Sequence, residues 1–163
     1  MRTAPLQLDA YVFTKILVEA NTDYLPEKQE EIEDSEINFS LQITVGKDND
    51  NPLRYQIEIH ISDFKPKKSG FLPYKIDAKV VGIFSVDPDF KHDDLEHLIH
   101  INGASMLFGA AREYILMVSG RGPYGPFKLP TINLIPTVKS GEEKQIEESP
   151  TDAEKVNTSV KDI

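Results

Sequence analysis

Apolar and polar residues alternate along most of the first half of the chain, with a period of two that marks strands. Residues 6–19 place Leu6, Leu8, Ala10, Val12, Ile16 and Val18 on one face of a strand, with Tyr11, Phe13 and Leu17 on the other. The pattern stops at Asn21, and the acid-rich stretch that follows (PEKQEEIEDSE) reads as a long crossover loop. Alternation returns at 37–45 through Ile37, Phe39, Leu41, Ile43 and Val45. A Gly/Asn/Asp turn at 46–52 leads to a strand at 53–62 built on Leu53, Tyr55, Ile57, Ile59 and Ile61. The segment KPKKSG ends it, and 73–86 supplies a fourth strand. Short turns between strands two, three and four predict an antiparallel meander, which the first strand joins across the long loop.

The period then lengthens. A short helix with Leu95, Leu98 and Ile99, capped at Asp93 or Asp94, is expected to break at Asn102-Gly103. A longer one runs from about Ala104 to Ser119 and stops at Gly120. Ala104, Leu107, Phe108, Ala111, Ile115 and Val118 form one stripe, and Met106, Ala110, Tyr114 and Met117 a second. A helix apolar nearly all round has to be covered on more than one side, and one four-stranded sheet covers only one. A second subunit is therefore expected on the other, with Leu107, Phe108, Ala111, Ile115 and Val118 at the oligomer contact. The Pro/Gly-rich stretch GRGPYGPFKLPTINLIP cannot continue the helix and reads as an extended surface segment carrying Phe127, Leu129, Ile132 and Leu134. From Lys139 onward no periodicity remains. The chain divides into an α+β domain over 1–138 and a disordered acidic tail over 139–163.

Composition narrows the function. The formal net charge of −9 disfavours nucleic acid and anionic membranes as partners. The absence of cysteine excludes disulfides, zinc–thiolate sites and thiol nucleophiles. Asp9 and Lys15 interrupt the apolar run a signal peptide needs, and the cytoplasm is the expected compartment. Pro123 and Pro126 remove donors from the glycine run at 120, 122 and 125, so it reads as a turn and not a phosphate loop. His97 and His100 with Asp93 lack further converging ligands, and a solvated helix face is the better reading than a metal site. Neither Ser105 nor Ser119 stands in a nucleophile-elbow context. The residues thus point to an oligomeric binding protein, with no reaction centre and no cofactor.

Beyond this, the run Ala104-Ser-Met-Leu-Phe-Gly-Ala-Ala-Arg-Glu-Tyr-Ile, then Met117-Val-Ser-Gly-Arg-Gly, then Phe127-Lys-Leu-Pro-Thr-Ile-Asn-Leu resembles the SecB export-chaperone family. That family's helix reads N-I-L-F-P-Y-A-R-E-x-I, followed by M-V-S-R-G and an extended F-P-x-L-N-L. Gly82-Ile-Phe-Ser, Phe13-Thr-Lys and Glu19-Ala add to the likeness, which spans about residues 6–136. The resemblance implies a four-stranded antiparallel sheet with the long helix at subunit contacts, in a homotetramer built as a dimer of dimers. It implies an ATP-independent holdase whose grooves keep unfolded preproteins competent for export, with Tyr24, Leu25, Leu41, Phe127, Leu129 and Ile132 as client-binding candidates. It also implies hand-over to the ATPase SecA through acids on the sheet, matched here by Glu19 and Asp77. A second matching acid is missing beside Ile16, and 137–163 has no counterpart of the family's C-terminal helix. Two alternatives follow: a SecB-like chaperone dedicated to the antitoxin of a toxin–antitoxin pair, or an oligomeric adaptor that binds one folded partner through its acidic face.

Overall fold

The computed structural model describes residues 4–28, 37–66, 71–90 and 95–134. Four strands form one antiparallel sheet: β1 (Leu6–Ala20), β2 (Ile37–Lys47), β3 (Arg54–Pro66) and β4 (Tyr74–Val86), in the spatial order β1-β4-β3-β2. The meander 2-3-4 and the crossover of the first strand are as the periodicity predicts. β1 pairs with β4 from Leu6↔Val86 to Ala20↔Tyr74. One helix, α1 (Leu95–Ser119), lies across one face of this sheet.

The core follows the strict alternation of the two central strands. Tyr55, Ile57, Ile59 and Ile61 of β3, with Tyr74, Ile76, Ala78, Val80, Phe84 and Val86 of β4, are all buried. Ile99, Ala104, Leu107, Phe108, Ala111 and Ile115 of α1 are buried with them. Fully burying side chains of this kind contributes about 1.5–3 kcal/mol each, which makes this layer the main source of stability.

Three sequence expectations are corrected here. The helix does not break at Asn102-Gly103 but runs continuously through them. Gly103 is needed because the helix passes so close to β3 that a Cβ there would overlap the Ile57 side chain. Gly82 plays the same part on β4, where a Cβ would come 2.7 Å from Leu107. The two faces of β1 are also not those of simple alternation. Register shifts between Leu8 and Ala10, and between Phe13 and Lys15, mark bulges that each reverse the parity. The residues opposite the inward positions of β4 are consequently Leu6, Leu8, Tyr11, Phe13, Ile16, Val18 and Ala20.

The third correction concerns the stripe expected at the oligomer contact. Leu107, Phe108, Ala111 and Ile115 are buried against the chain's own sheet, and Val118 is half-buried. Outward from the sheet the helix presents Met106 (38% exposed) and Met117 (59% exposed). Periodicity alone could not say which of two apolar stripes a sheet would take. The larger, closely spaced Leu107/Phe108/Ile115 set offers more burial and wins. The tail at 139–163, most of the 27–36 loop and the Asp93/Asp94 cap lie outside the described residues.

Candidate functional site: an aromatic groove at one end of the sheet

The turn leaving β1 is built by Asn21, which is buried. Its amide N–H bonds to the Pro73 carbonyl at 2.9 Å, and its side-chain Nδ2 donates to the Leu72 carbonyl at 2.9 Å. Its Oδ1 accepts from Asp23 N–H, and its carbonyl accepts from Tyr24 N–H. The network fixes Tyr24 where its ring meets Tyr124 edge-on, with centroids 5.0 Å apart.

Past the helix, the Gly/Pro run folds as a turn, as read from its prolines. Its organisers are Ser119 and Tyr74. The Ser119 hydroxyl donates to the Ile115 carbonyl at 2.7 Å and accepts from Phe127 N–H at 2.7 Å. The Tyr74 hydroxyl lies 2.8 Å from the Gly125 carbonyl and accepts from Tyr124 N–H at 3.2 Å. Gly125 takes a φ of 76°, a left-handed conformation that glycine adopts without steric cost. These bonds lay residues 127–134 back alongside α1, and the Arg112 guanidinium reaches Thr131 Oγ1 at 3.3 Å.

The result is one continuous row of rings. From Tyr24 and Tyr124 it passes to Tyr74 (5.9 Å), Phe127 (6.4 Å), Phe64 (6.2 Å), Phe39 (5.1 Å) and Phe108 (6.2 Å). Seven of the chain's fourteen aromatic residues stand in it. Tyr74, Phe127 and Phe108 are buried, while Tyr24 and Tyr124 at one end, and Phe64 and Phe39 between Phe127 and Phe108, are partly exposed. At the second end a cleft of ≈ 370 Å³ is lined by Phe39, Leu41, Ile132 and Asn133. The strand beside it, β2, pairs only with β3, so one of its edges is open among the described residues.

Of the six client-binding candidates, Tyr24, Leu41 and Ile132 are half-buried along this row and cleft, and Leu25 is 43% exposed next to Tyr24. Phe127 and Leu129 are not surface residues. Leu129 is 0% exposed and Phe127 7%, because the extended segment seats them beside the helix as part of the core. Leu134, expected on the same surface segment, is buried too. Three residues on the rim were not predicted. Phe39 is one alternating strand residue among several, Tyr124 stands in a turn, and Phe64 falls between the strand expected at 53–62 and the KPKKSG segment that ends it.

The opposite face of the sheet carries Glu19 and Asp77. Neither stands alone. Asp77 bonds Lys15 and lies 2.9 Å from His60 Nε2, and Glu19 is 3.5 Å from Lys75. The Lys15 ammonium, assisted by His60, holds the Asp77 carboxyl below the usual carboxylate range, against the effect of its partial burial. No cluster of metal-ligating side chains occurs among the described residues, and Asp93 and the His97 side chain fall outside them. No helix among the described residues is long and apolar enough to cross a membrane.

No curated protein matches this chain. Among solved structures, it is similar to a SecB-like chaperone of Mycobacterium tuberculosis in complex with a ChAD peptide from an antitoxin. That likeness has a TM-score of 0.51 at 14% identity, covering 79% of this chain and 91% of that one. A protein of unknown function from Streptococcus agalactiae gives 0.41 at 12% identity, over 77% and 97% of the two chains. The four-stranded antiparallel sheet with one helix matches the fold of the first. The family model of the preprotein translocase subunit SecB matches residues 18–137, nearly three quarters of the chain, and the chain belongs to the SecB family.

Proposed function

We propose that this chaperone is an ATP-independent holdase that binds extended, unfolded segments of client chains along the aromatic row. The observation that carries this reading is the arrangement of half-exposed Tyr24, Tyr124, Phe39 and Phe64 against buried Tyr74, Phe127 and Phe108, beside a strand with an open edge among the described residues. An unfolded client loses conformational freedom on binding, at about 1–2 kcal/mol of backbone entropy for each residue fixed. Apolar anchors worth roughly 1.5–3 kcal/mol each offset this only if several engage together. A row of rings supplies such anchors without demanding a particular sequence, and backbone hydrogen bonds to an open edge add affinity that is likewise indifferent to side chains. In a homotetramer several such rows would act on one long client.

The subunit contacts in this reading are the outward Met106/Met117 side of α1 together with β1, where Tyr11, Val12, Ile16 and Leu17 are exposed. The cytoplasm is the compartment in which preproteins await export. Delivery to SecA through Glu19 and Asp77 requires these acids to exchange Lys75, Lys15 and His60 for a basic partner. That internal pairing favours a second reading, a chaperone dedicated to one client such as an antitoxin. The peptide held by the Mycobacterium tuberculosis relative is of that kind.

Light scattering from denatured, aggregating proteins tests the proposal. The chain is expected to suppress it without nucleotide, and Leu41→Ser with Ile132→Ser to weaken suppression while the fold is kept. Suppression of several unrelated substrates supports the general holdase. Suppression confined to one client selects the dedicated chaperone, and none at all overturns both.

A further inference from the structure

The parity of β3 reverses partway along its length. Tyr55, Ile57, Ile59 and Ile61 all point into the core, and continued alternation would send residues 63 and 65 inward after them. Those residues are Asp63 and Lys65, both exposed instead, while Phe64 and Pro66 are half-buried. The reversal occurs at Asp63, whose φ of 55° makes it the only non-glycine residue with a positive φ among the described ones. The pairing with β2 records the extra residue. Ser40 is opposite Ser62 and Asn38 opposite Lys65, so Phe39 alone faces the pair Asp63–Phe64. This is a β-bulge with an aspartate in the left-handed position usually given to glycine. At the same point β3 leaves β4: their pairing ends at Ile61↔Ala78, while β3 continues along β2 to Pro66.

We infer that Asp63 is a positioning residue for the client groove, and that its left-handed backbone delivers Phe64 to the aromatic row. Only because of this turn does Phe64 stack on Phe39 (13° between planes) and meet Phe127 edge-on (90°). Without it two charged side chains would occupy the groove and the ring would face the opposite surface. Aspartate is one of the few side chains that adopts this conformation at modest cost, and the Ser62 hydroxyl donates to its Oδ2 at 3.1 Å, holding the turn locally. A β-branched residue fits the left-handed region poorly. Backbone strain of this type is tolerated where a function uses it. The claim that the groove binds clients rests on the function proposed above; the claim about the geometry does not.

Because the chain has no cysteine, the placement can be read chemically. In a Phe39→Cys/Phe64→Cys double variant the two thiols are cross-strand neighbours and are expected to form a disulfide on mild oxidation. Adding Asp63→Gly should leave that disulfide intact, and adding Asp63→Val should abolish it. In the otherwise native chain, affinity for a short fluorescent peptide with one central phenylalanine is expected to fall about tenfold or more with Asp63→Val, and to stay near wild type with Asp63→Gly or Asp63→Asn. If Asp63→Val does not fold, Asp63→Ala provides the same comparison, whereas deletion of Asp63 should keep the Phe39/Phe64 disulfide, because removing the extra residue lets plain alternation carry Phe64 inward. Disulfide formation undiminished by Asp63→Val, or Asp63→Gly losing as much as Asp63→Val, overturns the inference. A wild-type chain that binds no unfolded peptide overturns the holdase reading and leaves the disulfide result to decide Asp63.

Discussion

Ser119 shows how much of this site depends on single atoms. Its hydroxyl satisfies the Phe127 N–H in a buried setting and returns a bond to the helix. Ser119→Ala leaves that N–H without a partner, and calorimetry is expected to show a loss of about 1–3 kcal/mol. Leu129→Ser, which opens a fully buried position and places a hydroxyl in it, is expected to cost about 3 kcal/mol or more. Any loss of client holding in that variant would therefore report unfolding and not groove chemistry. Asp77 makes a separate prediction. Its carboxyl is held below its unfolded value near pH 3.9, so the stability it contributes is fully present above that pH and is lost as pH falls through the lower folded value. Asp77→Asn should lower the melting temperature at neutral pH and flatten the acid limb of the stability profile. The difference from wild type should vanish at its acid end.

For the elements, the helix separates two kinds of disruption that the sequence had merged. Ala111→Glu places a charge in the sheet–helix layer, where burial without a partner is prohibitive, and should unfold the chain. Met106→Glu with Met117→Glu alters only the outward side. It should leave circular dichroism unchanged and, if subunits meet there, reduce the mass measured by light scattering from about four subunits to fewer. The strands were legible because Tyr55–Ile61 and Tyr74–Val86 alternate without interruption, and the meander of three because short turns join them; the edge that β1 takes was not. The bulges at residues 9, 14 and 63 were not legible, since a parity change looks in sequence like a lapse of pattern. The candidate site suffered from the same blindness. Phe64 is hidden by a bulge, and the burial of Phe127 and Leu129 is invisible because an extended Pro-rich segment gives no period from which it can be read. Tyr24, Leu41 and Ile132, candidates that rest on the family resemblance, meet partners far away in sequence: Tyr24 packs on Tyr124, and Leu41 lines a cleft with Ile132.

At the level of the whole molecule, charge and fold are kept apart. Of the formal net charge of −9, −5 falls on residues 27–36 and −3 on residues 139–163, which leaves −1 for everything else. The sheet and helix are thus nearly neutral, and repulsion between copies depends on these two stretches of sequence. Removing 139–163 is expected to leave the melting temperature and the oligomeric mass unchanged, since that segment has too little apolar surface to offset its ordering. The same truncation should lower solubility near neutral pH.

The strand order sets the sequence of events in synthesis. β2, β3 and β4 meet their neighbours across short connections, but Leu6 must wait for Val86, 80 residues later, before it has a partner. Closing so long a loop is slower than forming a hairpin. The first strand to leave the ribosome is therefore the last to be paired. During that interval it carries Tyr11, Val12, Ile16 and Leu17 as an open apolar ribbon. A growing copy of this protein then presents a segment of the kind that a finished copy is proposed to hold.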